Sequence, residues 1–426
     1  MSDPADIKDV LPANRTVIVG AGIVGSCLAS ILATQLKDTD PLHRVILVDR
    51  DVEGLPGSTG HAPGYVGQFN QIPVLTELAK RTVEHYQKIQ GGFSTVGGLE
   101  IAESATGTEQ LKERCDAAVK VGLEAHMVSR DEATNKAPFF VRGGSNAAEK
   151  QLGVLWFPTD GTANAQLIAR TEQSNARKAG AILINADVKT VLPASQSSGL
   201  AVIELNSGER IEAARVAICT GIWTKQLCPA LPVVAVAHPY SYTPSRDAER
   251  DLKTPFVRYP QSHVYVRDHG LRDGMGSYDH DPIAVATANL TSSAYGDWKT
   301  SFEDVLSHAL RLLPEETRAT FDVSPTSAGV DRVFNGIFSV TPDGMPIVGQ
   351  VGDFNSGVYV ASAIWVTHAA ACARLIADVM LSSTAPEDEW MLKALHPNRF
   401  EGKDLARLDA AALGTYNDIY NKNASA

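Results

Sequence analysis

Gly20-Ala-Gly22-Ile-Val-Gly25 has the spacing G-x-G-x-x-G, and Asp49 stands 24 positions beyond its last glycine. Together these residues can hold a dinucleotide. Gly20 permits a tight turn, Gly22 lets backbone approach a pyrophosphate at a helix N-terminus, and Gly25 lets that helix pack close to a sheet. Asp49 is placed to accept hydrogen bonds from ribose hydroxyls. Glycine spacing alone arises by chance, so the flanking elements decide. Thr16-Val-Ile-Val-Gly20 reads as a buried strand, Ile23 to Leu36 as a helix, and Arg44-Val-Ile-Leu-Val-Asp49 as the next strand. Strand, helix and strand in so short a stretch make a βαβ unit.

A nicotinamide dehydrogenase would complete a second mononucleotide-binding half soon after Asp49. Here a long Gly-rich loop follows, Gly57-Ser-Thr-Gly-His61-Ala-Pro-Gly64-Tyr-Val-Gly-Gln68, and it favours a flavin. Residues 231 to 300 are rich in Tyr, His and β-branched types with repeated turn signals, so they read as a mostly antiparallel sheet. Val358-Tyr-Val-Ala361 and the helical run from Thr367 to Leu381 return to strand and helix. The expected fold class is α/β. A discontinuous Rossmann-type lobe is assembled from 1–70, 150–230 and 330–400, an inserted antiparallel-sheet substrate lobe from 71–149 and 231–329, and 401–426 form a C-terminal tail.

Composition narrows the function. The chain has 426 residues, with 38 Lys+Arg against 49 Asp+Glu for a net charge of −11. That length suits about two or three lobes. Without a basic cluster, nucleic acid is not an expected partner. Cys27, Cys115, Cys219, Cys228 and Cys372 are odd in number and scattered, with no C-x-x-C pair, which fits a reducing compartment. The N-terminus has neither the basic nor the apolar part of a secretory signal, and no apolar run is long enough to span a bilayer. A cytoplasmic protein without membrane contact is expected. His263, His269 and His280 lie near Asp279 and Asp281, and they read as solvated turns, so no metal is expected. Oligomeric state is left open.

Four segments resemble the D-amino-acid oxidase superfamily of FAD-dependent amine oxidoreductases, within it the dimethylglycine and sarcosine oxidase or dehydrogenase branch. They are the dinucleotide motif with Asp49; Gly57-Ser-Thr-Gly-His-Ala-Pro-Gly64; Tyr265-Val-Arg-Asp-His-Gly270 with Gly274-Met-Gly-Ser-Tyr278; and Asn335-Gly336 with Ser339-Val-Thr-Pro-Asp-Gly-Met-Pro-Ile-Val-Gly349 and Gly357-Val-Tyr-Val-Ala361. His396-Pro-Asn-Arg-Phe400 adds to the likeness. The resemblance implies FAD as cofactor, held by Gly20, Gly22, Ile23, Val24, Gly25, Asp49, Arg50, Ser58, Thr59, His61, Ala62, Val188, Thr220, Gly221, Trp223, Asp343, Gly344, Ile364, Trp365, Thr367 and His368. In several members of the branch the loop histidine is bonded to the flavin 8α-methyl, which makes His61 the implied covalent attachment. The loop carries Gly60 before His61 where relatives often have a bulkier residue.

The resemblance also points to His238 and Tyr265 as the catalytic pair. Oxidation beside an amine nitrogen needs a free lone pair, so a histidine able to take the ammonium proton is the natural partner. His238 also reads as an ordinary buried histidine beside Pro239, and Tyr265 and Tyr278 suit packing on strands. Arg258 and Arg267 are candidates for a bidentate grip on a substrate carboxylate, or plain surface arginines. The helix after Trp365-Val-Thr367 is expected to turn its N-terminus toward the flavin. The implied activity is oxidation of a secondary or tertiary amine through an imine to an aldehyde and the dealkylated amine. The acceptor is O2, giving H2O2, or an electron-transfer protein. Many branch members carry a C-terminal folate-binding half that this sequence does not contain, which favours a stand-alone oxidase. The rival classes are a nicotinamide dehydrogenase and a non-catalytic regulatory flavoprotein.

Overall fold

The computed structural model describes residues 7–294, 298–352 and 355–417; residues 418–426 of the expected tail lie outside them. A six-stranded sheet runs in the order Ile347–Gln350, Val358–Ser362, Arg215–Ile218, Arg15–Val19, Arg44–Asp49, Ile182–Asn185. Its pairs are parallel except the first, where Val348 opposes Ala361 in an antiparallel register. Every residue of Arg15–Val19 is buried, because both faces of the sheet are covered. Side chains alternate between those faces. Ile18 and Leu47 join helices Ile23–Thr39, Ala165–Lys178 and Ala369–Met380 on one side, while Val17, Val19, Ile46 and Val48 meet a small three-stranded sheet on the other.

The second sheet has eight strands, ordered Val333–Val340, Val234–Tyr242, Asp273–Ser277, Val264–Asp268, Phe256–Tyr259, Gly98–Ile101, Val154–Phe157, His126–Val128. It is antiparallel except where Phe256–Tyr259 runs parallel to Gly98–Ile101, the point at which the two chain segments that build it meet. Val154–Phe157 and Val333–Val340 belong to this sheet, although the sequence pattern assigns their segments to the nucleotide lobe. The pairing explains it: Val333–Val340 matches Val234–Tyr242 from Val234 opposite Val340 to Ser241 opposite Val333. Helix Ser301–Leu310 covers one face through Leu306, Ala309 and Leu310, packed with Val257, Val266 and Met275. The other face carries His238, Tyr240, Tyr265 and Phe334.

The expected tail is a packed element in its described part. Helix Leu405–Gly414 and the turn after it bury Ala412 and Tyr416 completely against Val234, Val236 and Val340. Among the described residues, no helix is long and apolar enough to cross a membrane.

Candidate active site

One continuous cleft runs between the two sheets. At its first end the Gly20 amide donates to the Val48 carbonyl at 2.8 Å, so the turn is fixed to the neighbouring strand. Gly20 sits at φ +106°, and a Cβ there would lie 2.5 Å from the Cys219 carbonyl oxygen. At Gly25 a Cβ would lie 1.8 Å from the Gly20 carbonyl oxygen, so only glycine lets the helix approach the turn this closely. Gly25 therefore serves from behind the cleft wall, while Gly20, Gly22, Ile23, Val24 and Asp49 line it. Asp49 braces the turn by accepting from Ala21 N–H at 2.7 Å and from Asp51 N–H at 3.0 Å.

Ser58, Thr59, His61 and Ala62 also line the cleft. Thr59 Oγ1 accepts from Ile23 N–H at 2.9 Å, and Ser58 Oγ donates to Ile337 O at 2.8 Å, which ties this loop to the helix start and to the second sheet. His61 Nδ1 lies 3.3 Å from Gly57 O and 3.2 Å from Ser293 Oγ, and burial lowers its pKa below the ordinary imidazole value. Farther along the nucleotide end stand Val188, Thr220, Gly221 and Trp223, with the Arg50 guanidinium 4.5 Å over the Trp223 ring. Ile364, Trp365 and Thr367 close the cleft beside Ala363, whose φ is +52°. Glycine-opened backbone at the N-terminus of a 17-residue helix, with a carboxylate beside it, is a donor set that fits FAD.

The second sheet supplies an aromatic wall. His238 is 5% exposed, with Nε2 2.7 Å from the Tyr265 hydroxyl and its backbone N–H donating to Asn335 Oδ1 at 2.7 Å. The His238 and Tyr265 rings lie 5° from parallel, and Tyr278 tilts over His238 at 4.4 Å. Tyr240, Phe256 and Phe334 complete the wall. Desolvation, helped by His280, holds His238 well below the ordinary imidazole range, so its ring is neutral at neutral pH.

Several expected contacts are corrected. Asp343 and Gly344 form a turn outside the cleft, because Asp343 Oδ2 accepts from Arg399 Nε at 2.8 Å and its Oδ1 from Met345 N–H at 3.0 Å. His368 is buried behind the wall at the start of its helix, with its pKa pushed down to about 4 by burial. Arg267 does not line the cleft, since Nη1 donates to Pro63 O and Nε to Asp268 O at 3.0 Å. Arg258 reaches the lining but donates to Glu100 Oε1 at 2.8 Å, a carboxylate that also pairs with Arg114.

The three histidines expected on solvated turns are engaged separately. His269 is half-buried with Nε2 2.8 Å from the Tyr240 hydroxyl, His263 bonds the Asn417 carbonyl at 2.8 Å, and His280 bonds Tyr416 at 2.7 Å. Tyr416 is the main residue that the sequence reading missed, because no motif marks it. Elsewhere, Cys27, His85 and Glu172 come within 4.8 Å of one another, but His85 and Glu172 bond each other at 2.7 Å and burial pushes the Cys27 thiol up.

A two-sheet flavoenzyme architecture with this site has a family counterpart. The chain belongs to the FAD dependent oxidoreductase family, whose model matches residues 15–379, and FAD is its cofactor. It is 25% identical over 414 residues to 4-methylaminobutanoate oxidase (formaldehyde-forming) of Paenarthrobacter nicotinovorans, covering 93% of this chain and 47% of that protein. It is 25% identical to the mitochondrial sarcosine dehydrogenase of Mus musculus over 82% of this chain and 37% of that protein. The chain thus spans half or less of the length of these relatives. Among solved structures, L-proline dehydrogenase from P. horikoshii superposes with a TM-score of 0.75 at 19% identity, over 92% of this chain and 100% of that one. Glycine oxidase from Geobacillus kaustophilus gives 0.69 at 20% identity, over 88% and 96%. These two likenesses establish the shared fold.

Proposed function

We propose that the chain oxidises the C–N bond of a secondary or tertiary amine, an N-methylated amino acid or a related small amine. The observation that carries this reading is the neutral His238 bonded to Tyr265 on the wall of an aromatic cleft. The names of the two relatives support it. When bound, FAD supplies the acceptor for the hydride that leaves the carbon beside nitrogen.

The rest falls to the chain's own side chains. The aromatic wall orients the amine and excludes water. A protonated amine must first lose its N–H proton. The Tyr265 oxygen takes it while the Tyr265 proton moves to His238 Nε2, a transfer open only to a neutral imidazole. Loss of hydride then leaves an iminium, which water cleaves to an aldehyde and the dealkylated amine. O2 is the proposed final acceptor, with H2O2 as product. His61 is the proposed covalent anchor, since its lowered pKa keeps the ring in the neutral form that can bond to carbon.

The test is anaerobic mixing of the holoenzyme with a panel of N-methyl amino acids and simple N-methyl amines. Bleaching of the oxidised flavin band, with formaldehyde released, is expected. A flavin that stays oxidised across the panel rules the reading out. Slow reoxidation of the bleached enzyme in air would assign the acceptor role to an electron-transfer protein.

A further inference from the structure

Hydrogen bonds continue in single file beyond the His238–Tyr265 pair. His238 Nδ1 lies 2.7 Å from the Tyr416 hydroxyl, the same hydroxyl lies 2.7 Å from His280 Nε2, and His280 Nδ1 lies 2.8 Å from the Asp281 carbonyl oxygen. A carbonyl only accepts, and this fixes every polarity in the chain. His280 carries its proton on Nδ1, so its Nε2 accepts from Tyr416. The Tyr416 oxygen then accepts from His238 Nδ1–H, which leaves His238 Nε2 to accept from Tyr265.

The file also has an inside and an outside. Tyr265 lines the cleft, His238 and Tyr416 are buried, and His280 is half-buried between the exposed Asp279 and Asp281. The C-terminal segment is held to this turn by Asn417 Nδ2, which donates to the carbonyls of Tyr278 at 2.6 Å and His280 at 2.8 Å.

We infer that Tyr265, His238, Tyr416 and His280 form a relay that carries the substrate's proton from the cleft to solvent. The relay rests on the proposed amine oxidation, and in it Tyr416 and His280 are positioning residues. The amine N–H proton passes to the Tyr265 oxygen as the Tyr265 proton passes to His238 Nε2. The His238 Nδ1 proton passes to Tyr416, whose own proton passes to His280 Nε2. His280 then holds two ring protons and releases one to water. One proton enters, one leaves and no electron moves. Reduction of O2 to H2O2 consumes one proton beyond the one that arrives with the hydride, and that proton travelling inward along the same file restores the original polarity.

The surroundings explain why the proton is passed on. His238 is faced by Tyr265, Tyr278, Phe338 and Tyr416, with His280 beyond, so a lasting imidazolium there is costly. His280 is faced by Tyr416 and Phe302; burial lowers its pKa too, but the Asp281 carbonyl and the carboxylates of Asp279 and Asp281 oppose that shift, and among the described residues nothing opposes it at His238.

Two measurements test the relay. In holoenzyme labelled with 15N-histidine, NMR is expected to report the Nδ1–H tautomer for both His238 and His280; an Nε2–H tautomer at His238 overturns the relay without any substrate. Tyr416→Phe keeps the ring and removes the hydroxyl. Its amine-driven flavin reduction is expected to slow about tenfold to a hundredfold at low pH, where the amine enters protonated. The deficit should close at high pH, where the amine enters neutral. A wild-type rate and pH profile in this variant overturns the relay, and His280→Asn provides the same readout if Tyr416→Phe does not fold. Failure of every amine to reduce the wild-type enzyme defeats the proposed function instead, and the tautomers still decide the hydrogen-bond file.

Discussion

Replacing His368 by leucine should remove a measurable acid sensitivity from the protein. His368 is 6% exposed and stands at the start of helix Ala369–Met380, where burial lowers its pKa from 6.5 to about 4. An unfolded histidine keeps the ordinary value near 6.5. As pH falls, the unfolded chain therefore binds this proton before the native one. The stabilisation is fully present above pH ~6.5 and declines by about 1.4 kcal/mol per pH unit until the native ring titrates. Between pH 7 and pH 5 the loss is about 2 kcal/mol. A cationic ring at a helix N-terminus acts in the same sense. The assay is urea unfolding of wild-type and His368→Leu holoprotein at both pH values. His238 and His269 also have pKa values lowered by burial, but they are present in both proteins and cancel in the comparison. The stability gap between the two proteins should shift by about 2 kcal/mol in favour of the variant at pH 5. A gap that does not change with pH, or that shifts in favour of wild type, refutes a buried neutral His368.

Three further outcomes are expected. Tyr265→Phe removes the donor to His238 Nε2 and should slow amine-driven flavin reduction about a hundredfold in stopped-flow, and an unchanged rate would remove Tyr265 from the mechanism. His61→Ala should abolish the flavin fluorescence of the acid-denatured protein band on a gel, and fluorescence that survives the substitution would disprove attachment there. Gly276→Ala places a Cβ 2.5 Å from the Tyr265 hydroxyl, so flavin reduction should fall while circular dichroism stays native; normal reduction kinetics would contradict the close fit.

The nucleotide end was legible because its chemistry is local. Gly20, Gly22, Gly25 and Asp49 act through backbone geometry within one strand-helix-strand unit, and a spacing motif captures that. The strands of the second sheet were legible as strands, but their partners were not. Arg258 meets Glu100 across 158 positions and His238 meets Tyr416 across 178, and no periodicity reports such pairings. Asp343 and Arg267 failed as site residues for the same reason. Their types suit a ligand, but Arg399 claims one and the carbonyls of Pro63 and Asp268 claim the other. The C-terminal helix looked like a tail because its burial depends on two strands from different parts of the chain.

One sequence feature acquires its physical reason only in the sheet. His238 lies on Val234–Tyr242 and Tyr265 on Val264–Asp268, and Asp273–Ser277 runs between them. Strands two apart stand roughly 10 Å from each other, so the rings must meet above the strand that separates them. Gly276 is the register partner of both Tyr240 and Tyr265, and Gly274 would put a Cβ 2.2 Å from the Tyr240 hydroxyl. Without side chains there, the two tyrosine rings close to 5.9 Å and the Tyr265 hydroxyl reaches His238. On the other side, His238 is opposed by Gly336, where a Cβ would have its nearest neighbour at 3.6 Å. Glycine normally weakens a strand, and the sheet accepts that cost at 274 and 276 in the place where the aromatic wall is built. The Asp-Gly-Met-Gly-Ser run is thus as much a part of the candidate site as the histidine and tyrosine it brings together.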